Sequence, residues 1–177
     1  MSPIILPNNY YDCMDTPFIY LAGPIKSAPC WQDEAIRYIL ANDSGVMIAT
    51  PQRILANDLT QNVIHRGEPR FHRQRAWERH YMDLAAKSGA LLFWLPEEHE
   101  HDCEKAYGAV TRFELGIWLE RIRNAPELHV CIGTDGRFSE WHTYAYDFSQ
   151  DAPNLRIFET LKATCKEALD ILHKGDI

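Results

Sequence analysis

Residues 89–121 read GALLFWLPEEHEHDCEKAYGAVTRFELGIWLER, and this stretch decides the fold. Residues 90–95 form an unbroken apolar run that Pro96 closes, which is typical of a strand covered on both faces. From Thr111 onward, apolar residues recur at the spacing of a helix: Phe113, Leu115, Ile117, Trp118 and Ile122. Glu114 therefore falls in the first helical turn, just past the carboxyl end of a buried strand. Ligands of open α/β sheets bind at that edge.

The rest of the chain repeats this alternation of strand and helix. Further strands are predicted at 18–22, 46–49, 128–132 and 155–158, and further helices at 31–41, 72–87 and 160–173. Residues 140–148 fit a helix less clearly, and 53–70 carry no firm pattern, as in a lid or binding loop. We expect one domain over residues 1–177 with an irregular arm at 1–16. The class is α/β: a flavodoxin-like, doubly wound parallel sheet of five strands in the order 2-1-3-4-5.

Composition narrows the classes of function. The net charge of −7 argues against binding a nucleic-acid polymer, and no apolar run approaches the roughly 20 residues of a membrane span. The first residues lack the features of a signal peptide, and the five cysteines form no C-x-x-C pair, so we expect a cytoplasmic protein with reduced thiols. Neither a P-loop nor a dinucleotide fingerprint is present. The acidic loop 97–104 matches no zinc spacing, so no metal and no cofactor are expected.

Glu114 has two interpretations. Thr111 and Glu114 have the spacing of a capping box, in which the glutamate only satisfies the start of its helix. Alternatively, the helix N-terminus stabilises an ionised, nucleophilic carboxylate at the ligand-binding edge.

Asp83 also has two interpretations. It is placed to pair with Lys87 one helical turn later. It would also face the helix of Glu114, and two carboxylates converging on one pocket are the usual means of breaking a glycosidic bond.

Arginines and aromatic residues add further candidates. Five arginines between Arg66 and Arg79 form either a solvated helix face or a lid that meets a substrate phosphate. Aromatic residues near the predicted strand ends pack in the core or stack on a flat base: Tyr20, Trp77, Tyr107 and Phe113.

Three stretches, in this order, resemble the nucleoside 2-deoxyribosyltransferase-like family: FIYLAGPI (18–25), WERHYMDLAAKSGALLFWLP (77–96) and YGAVTRFELGIW (107–118). The resemblance implies a flavodoxin-like fold and cleavage of the N-glycosidic bond of a nucleoside. It places the family's nucleophile on Glu114 and a supporting carboxylate on Asp83. The loop around Tyr20, Gly23, Pro24 and Ile25 would line the pocket.

The candidate substrate-binding set is completed by Gln52, Arg79, Tyr107, Arg112 and Phe113. The resemblance also implies that a neighbouring subunit completes the site through Asp135, Arg137 and Phe138, in a homodimer or larger homo-oligomer. Two departures stand out. No acidic residue aligns cleanly with the family's aspartate that handles the base, so Glu98, Asp102 and Glu104 all remain candidates. The chain also lacks the family's aromatic C-terminus.

The expected activity is transfer of a deoxyribosyl group between bases through a covalent intermediate on Glu114. The substrates would be a nucleoside or nucleotide and a free nucleobase. One alternative is a nucleoside or 5′-monophosphate N-glycosidase that uses water as the acceptor. A further alternative is a nucleotide-binding module without turnover.

Overall fold

The computed structural model describes residues 4–11, 16–51, 70–101, 104 and 106–174. Within these ranges the chain forms six strands and five helices. The strands are β1 (Ile4–Ile5), β2 (Phe18–Ala22), β3 (Met47–Ala49), β4 (Ala90–Leu95), β5 (Val130–Thr134) and β6 (Ile157–Phe158). The helices are α1 (Trp31–Asn42), α2 (Arg70–Ser88), α3 (Ala109–Asn124), α4 (Trp141–Asp151) and α5 (Leu161–Lys174).

The described strands make one parallel sheet in the order β1-β3-β2-β4-β5-β6. For the five predicted strands this is the order 2-1-3-4-5, so the flavodoxin-like fold is confirmed. One expectation was wrong: the N-terminal arm is not wholly irregular, because Ile4 and Ile5 pair with Ile48 and Ala49 as an added edge strand.

Strand residues alternate between two cores. In β2, Tyr20 faces a core shared with α2, α3 and α4, whereas Leu21 faces a second core shared with α1 and α5. In β4, Phe93 faces the first of these cores and Trp94 faces the second. Since both faces are covered, the continuous apolar runs predicted these strands to the residue.

Helix α3 begins earlier than the sequence predicts. Its N-cap is Gly108, in the left-handed conformation with φ of 61°, and its first residue is Ala109. Thr111 is therefore inside the helix and cannot cap it, and no side chain bonds the cap. The capping-box interpretation of Glu114 is wrong, and Glu114 lies in the second turn rather than the first.

The apolar stripes of α2 and α3 do not form an exposed face. Trp77, Tyr81 and Met82 on α2 are buried against the sheet of the same chain, as are Trp118 and Ile122 on α3. The apolar stripes of these two helices are thus covered within one subunit. No helix in the described ranges is both long and apolar enough to cross a membrane.

Candidate active site

Glu114 is a buried carboxylate on the face of α3 that meets α2. It is 8% exposed and belongs to the few buried polar residues of the described chain. A carboxylate removed from water requires a compensating charge or hydrogen bonds. Arg75 supplies both.

Arg75 joins two glutamates through one nitrogen. Its Nη1 donates a hydrogen bond to Oε1 of Glu114 and another, of 2.9 Å, to Oε2 of Glu78. Gln74 donates to the remaining oxygen of Glu78 at 3.0 Å. The side chains of Arg75, Glu78 and Glu114 are 22%, 14% and 10% exposed, so the bridge is largely shielded from water. We call these three residues the carboxylate bridge.

Burial and the positive charge of Arg75 shift the pKa of Glu114 in opposite directions. Burial raises the pKa of its carboxyl above the ordinary value, the hydrogen bond and charge of Arg75 lower it, and Glu78 raises it further. The pKa of Arg75 is raised despite its partial burial, because both carboxylates favour the charged guanidinium. Arg75 therefore favours the charged form of Glu114, whereas burial and Glu78 oppose it.

Tyr20 lies in the sheet close to the carboxylate bridge. Its ring is buried, 5.9 Å from the ring of Trp77 between centroids. Burial, then Glu78 and Glu114, hold the pKa of its hydroxyl well above the usual range. Tyr20 therefore stays neutral and offers a hydroxyl rather than a phenolate.

Asp83 does not meet Glu114. It lies on α2 eight residues beyond Arg75, about 12 Å along the helix axis, and pairs with Arg121 of α3. Both partners are substantially exposed, at 43% and 38%. The expected convergence of these two carboxylates is wrong, and Glu78 is the carboxylate that accompanies Glu114.

The loops after β2 and β4 meet beside the start of α3. Gly23 has φ of 150° and approaches the backbone of Trp94 so closely that a Cβ would clash. The indole of Trp31 donates to the carbonyl of Pro24 at 2.9 Å. Ile25 is 40% exposed. The expected first-strand loop thus lies at the carboxyl edge of the sheet, next to the helix that carries Glu114.

Tyr107 and Phe138 are packed rather than open to a ligand. The hydroxyl of Tyr107 donates to the carbonyls of Pro96 and Glu97 at 3.0 and 3.3 Å, and its ring lies 5.6 Å from that of Phe138. Both residues are buried. Phe138 is therefore enclosed in its own subunit, contrary to the expectation that it reaches a neighbour's site.

Asp135 and Arg137 tie the loops after β4 and β5 together. Asp135 accepts hydrogen bonds from the backbone of Glu97 at 2.8 Å and of Arg137 at 3.0 Å. Arg137 pairs with the side chain of Glu97 at 2.7 Å, in an exposed position. Within the described chain, these two residues serve their own subunit.

Polar groups without partners remain near the start of α3. Oε1 of Glu98 is buried and has no hydrogen-bond partner in the part of the chain that the structure describes, whereas Oε2 of Glu98 lies 3.1 Å from Nδ1 of His101. The buried Nε of Arg112 likewise has no partner among the described residues, and its guanidinium lies 5.6 Å from the ring centroid of Phe138. Buried polar groups normally have partners, so these two atoms are candidates to contact a ligand.

Other expected residues differ in position. Phe113 is 66% exposed and Arg79 is exposed on α2. Gln52, Asp102 and most of the arginine-rich stretch before α2 lie outside the described residues. Among the described side chains, no group of three or more His, Cys, Asp or Glu is arranged to hold a metal ion.

Sequence reasoning missed the carboxylate bridge. Glu78 stands among basic residues, and Arg75 was one of five arginines interpreted together. The signal in the sequence is local: Gln74 and Arg75 lie one helical turn before Glu78, next to the buried Trp77.

Comparison of the chain with models of known protein families gives no match. A search of curated proteins gives no significant match either.

Proposed function

We propose that this protein is a member of the nucleoside 2-deoxyribosyltransferase-like family and transfers a 2-deoxyribosyl group between nucleobases. The observation that carries the proposal is the carboxylate bridge beside the carboxyl edge of a flavodoxin-like sheet. Glycosidic chemistry uses two carboxyl groups, and ligands of this fold bind at that edge. The sequence resemblance assigns the nucleophile to the same Glu114.

Glu78 brings a second carboxylate close to Glu114. Oε1 of Glu114 and Oε2 of Glu78 accept from one nitrogen, so they lie no more than about 6 Å apart. A negative charge at that distance can stabilise a positively charged sugar without itself reacting. Transfer to a second base requires a covalent intermediate on Glu114 and therefore retention of configuration.

The proposed reaction begins with attack by the second oxygen of Glu114. Arg75 holds Oε1, and no other hydrogen bond to this carboxylate is present in the described chain. A bond forms between Glu114 and the anomeric carbon while the C–N bond breaks. The electron pair of the C–N bond leaves with the base, which takes up a proton. A nitrogen of the second base then attacks the same carbon, releases Glu114 and loses its own proton.

Glu78 and Glu98 receive supporting roles. Glu78 takes the place first given to Asp83, because its negative charge lies where the sugar becomes positive in the transition state. Glu98 is the candidate for the proton transfer to the base, because its buried Oε1 has no hydrogen-bond partner among the described residues. Asp102, which lies outside the described residues, and Glu104 keep their places as alternatives.

A base-exchange assay tests the proposal. The protein is incubated with each of the four deoxynucleosides and their monophosphates, with and without a different free base. New nucleoside should form with wild-type protein and fall at least about 1,000-fold in Glu114→Gln. Glu120→Gln is the matched control, since Glu120 is an exposed glutamate of the same helix.

The outcomes separate the alternatives. Free sugar that forms equally fast without an acceptor base would identify an N-glycosidase instead of a transferase. Exchange that persists in Glu114→Gln would contradict the assignment of the nucleophile. Binding of nucleosides without any turnover would indicate a nucleotide-binding module.

A further inference from the structure

We propose that Arg75 is a positioning residue of this site: it bridges Glu78 and Glu114 and fixes which oxygen of Glu114 faces the sugar. This inference rests on the proposed function and extends it to a residue that does not touch the reacting carbon. The observation behind it is the pair of hydrogen bonds from one Nη1 to two carboxylates on different helices.

The carboxylate bridge fixes the orientation of the Glu114 carboxylate. A free glutamate carboxylate rotates about its terminal torsion and can present either oxygen to a substrate. Since Arg75 is bonded to Oε1, Oε2 of Glu114 is the oxygen left for the anomeric carbon. Arg75 is itself held, because Glu78 lies one turn later on the same helix and is fixed by Gln74. The chain of contacts therefore runs from Gln74 through Glu78 and Arg75 to Glu114.

The carboxylate bridge also affects the ionisation of Glu114. The titratable groups that act on Glu114 in the described chain are Arg75 and Glu78 from α2, and the neighbouring Tyr20 from β2. Of these, only Arg75 is positive. Burial and Glu78 raise the pKa of the Glu114 carboxyl, and Arg75 opposes them. Without Arg75, two buried carboxylates would face each other unpaired, and one of them would bind a proton.

A titration that does not depend on turnover tests this inference. The carboxyl signal of Glu114 is followed by ¹³C NMR in protein labelled at the glutamate side-chain carboxyls, and Glu114→Gln identifies the signal. In Arg75→Ala, we expect Glu114 to titrate at least about one pH unit higher than in wild-type protein, a ten-fold change in its ionisation constant. Free guanidinium should move the titration back.

Matched variants separate positioning from folding. Arg121→Ala removes the other ion pair between α2 and α3, two turns away, and should leave the titration of Glu114 unchanged. Arg75→Lys keeps the charge but replaces the planar fork, so it should retain the titration and lower kcat more than it changes KM. If Arg75→Ala does not fold, Arg75→Gln and Arg75→Lys carry the test.

The results of the two assays are distinguishable. An unchanged titration of Glu114 in folded Arg75→Ala would overturn the inference, whatever the activity. Equal effects of Arg121→Ala and Arg75→Ala would also overturn it, because they would indicate loss of helix packing only. If wild-type protein exchanges no base, the proposed function fails, and the titration still shows whether Arg75 controls Glu114.

Discussion

Arg75 on α2 donates a hydrogen bond to Glu114 on α3, although 39 residues separate them in the chain. Both side chains lie where the sheet and the two helices exclude most water, and the contact gives the buried carboxylate its positive partner. Removing one member of a buried ion pair leaves the other uncompensated, which typically costs about 3–5 kcal/mol. The fold thus holds a buried glutamate, with an arginine as its positive partner, near the edge where ligands of such sheets bind.

The first prediction compares two carboxylates of α2. Glu78→Gln should lower kcat/KM for base exchange by about 100-fold or more, because Glu78 lies beside Glu114 and accepts from the same arginine. Asp83→Asn should change it by less than about three-fold, since Asp83 pairs with Arg121 two turns away and such exposed pairs contribute only about 0.2–1 kcal/mol. Steady-state kinetics on both variants give the comparison. A larger loss in Asp83→Asn would restore Asp83 to the site and remove Glu78.

The second prediction concerns pH. Glu114 must be ionised to attack, and burial together with Glu78 raises its pKa above the ordinary 4.5, although Arg75 lowers it. The acid limb of kcat/KM should therefore lie above pH 4.5, with activity lost as the pH falls through the raised pKa. The linked contribution to stability has the opposite sign: Glu114 favours folding below its unfolded pKa, and this is lost as the pH rises through the folded one. An acid limb below pH 4.5 would contradict the site electrostatics.

The third prediction uses two glycines. A Cβ at Gly133 in β5 would overlap the hydroxyl of Thr164 and lie 3.0 Å from the ring of Trp94, whereas a Cβ at Gly116 in α3 meets nothing within 4 Å. Gly133→Ala should destabilise the protein by roughly 1–3 kcal/mol or more, because β5 and α5 would have to separate. Gly116→Ala should stabilise it by about 0.5–1 kcal/mol, because alanine favours a helix. Denaturant unfolding measures both. Equal stability of the two variants would contradict the packing of α5 on β5.

The fourth prediction concerns assembly. Val110 and Phe113 of α3 are 55% and 66% exposed, and Ile25 lies in the adjoining loop. The sequence resemblance implies a homo-oligomer, and this exposed apolar surface is where a second subunit is then expected to bind. Val110→Asp should then convert a wild-type oligomer to monomer in light scattering, whereas Tyr146→Asp, at an exposed aromatic residue of α4, should not. Wild-type monomers that turn over substrate would contradict both the interface and a shared site.

Much of the fold could be predicted because burial on both faces leaves a simple pattern. The strands Phe18–Ala22 and Ala90–Leu95 are continuous apolar runs, and their bounds agree with the structure. Ile4–Ile5 was missed, because a two-residue edge strand has no pattern of its own and is specified by its partner β3. The start of α3 was misplaced because Gly108 adopts a left-handed conformation that begins the helix before the apolar period does.

The candidate site was predicted only in part. Glu114 was selected because its apolar helix follows a buried strand, although it lies in the second turn of that helix. Its partners depend on how α2 packs against α3, and only about 1.4 turns of α2 separate Glu78 from Asp83. Both acids belong to one helix, so local sequence could not choose between them. The ion pairs Arg75–Glu114 and Asp83–Arg121 show which one accompanies Glu114.

Mass spectrometry of the trapped enzyme shows whether Glu114 becomes covalently bonded to the sugar. The protein is incubated with 2-deoxy-2-fluoro nucleosides of each base, because fluorine slows release of the intermediate, and is then digested and sequenced. We predict a mass increase of one fluorodeoxyribosyl group on the peptide containing Glu114, localised to that residue and missing from Glu114→Gln. An adduct on another residue, or turnover of the natural substrates with no adduct from any of the fluorinated nucleosides, would contradict the account.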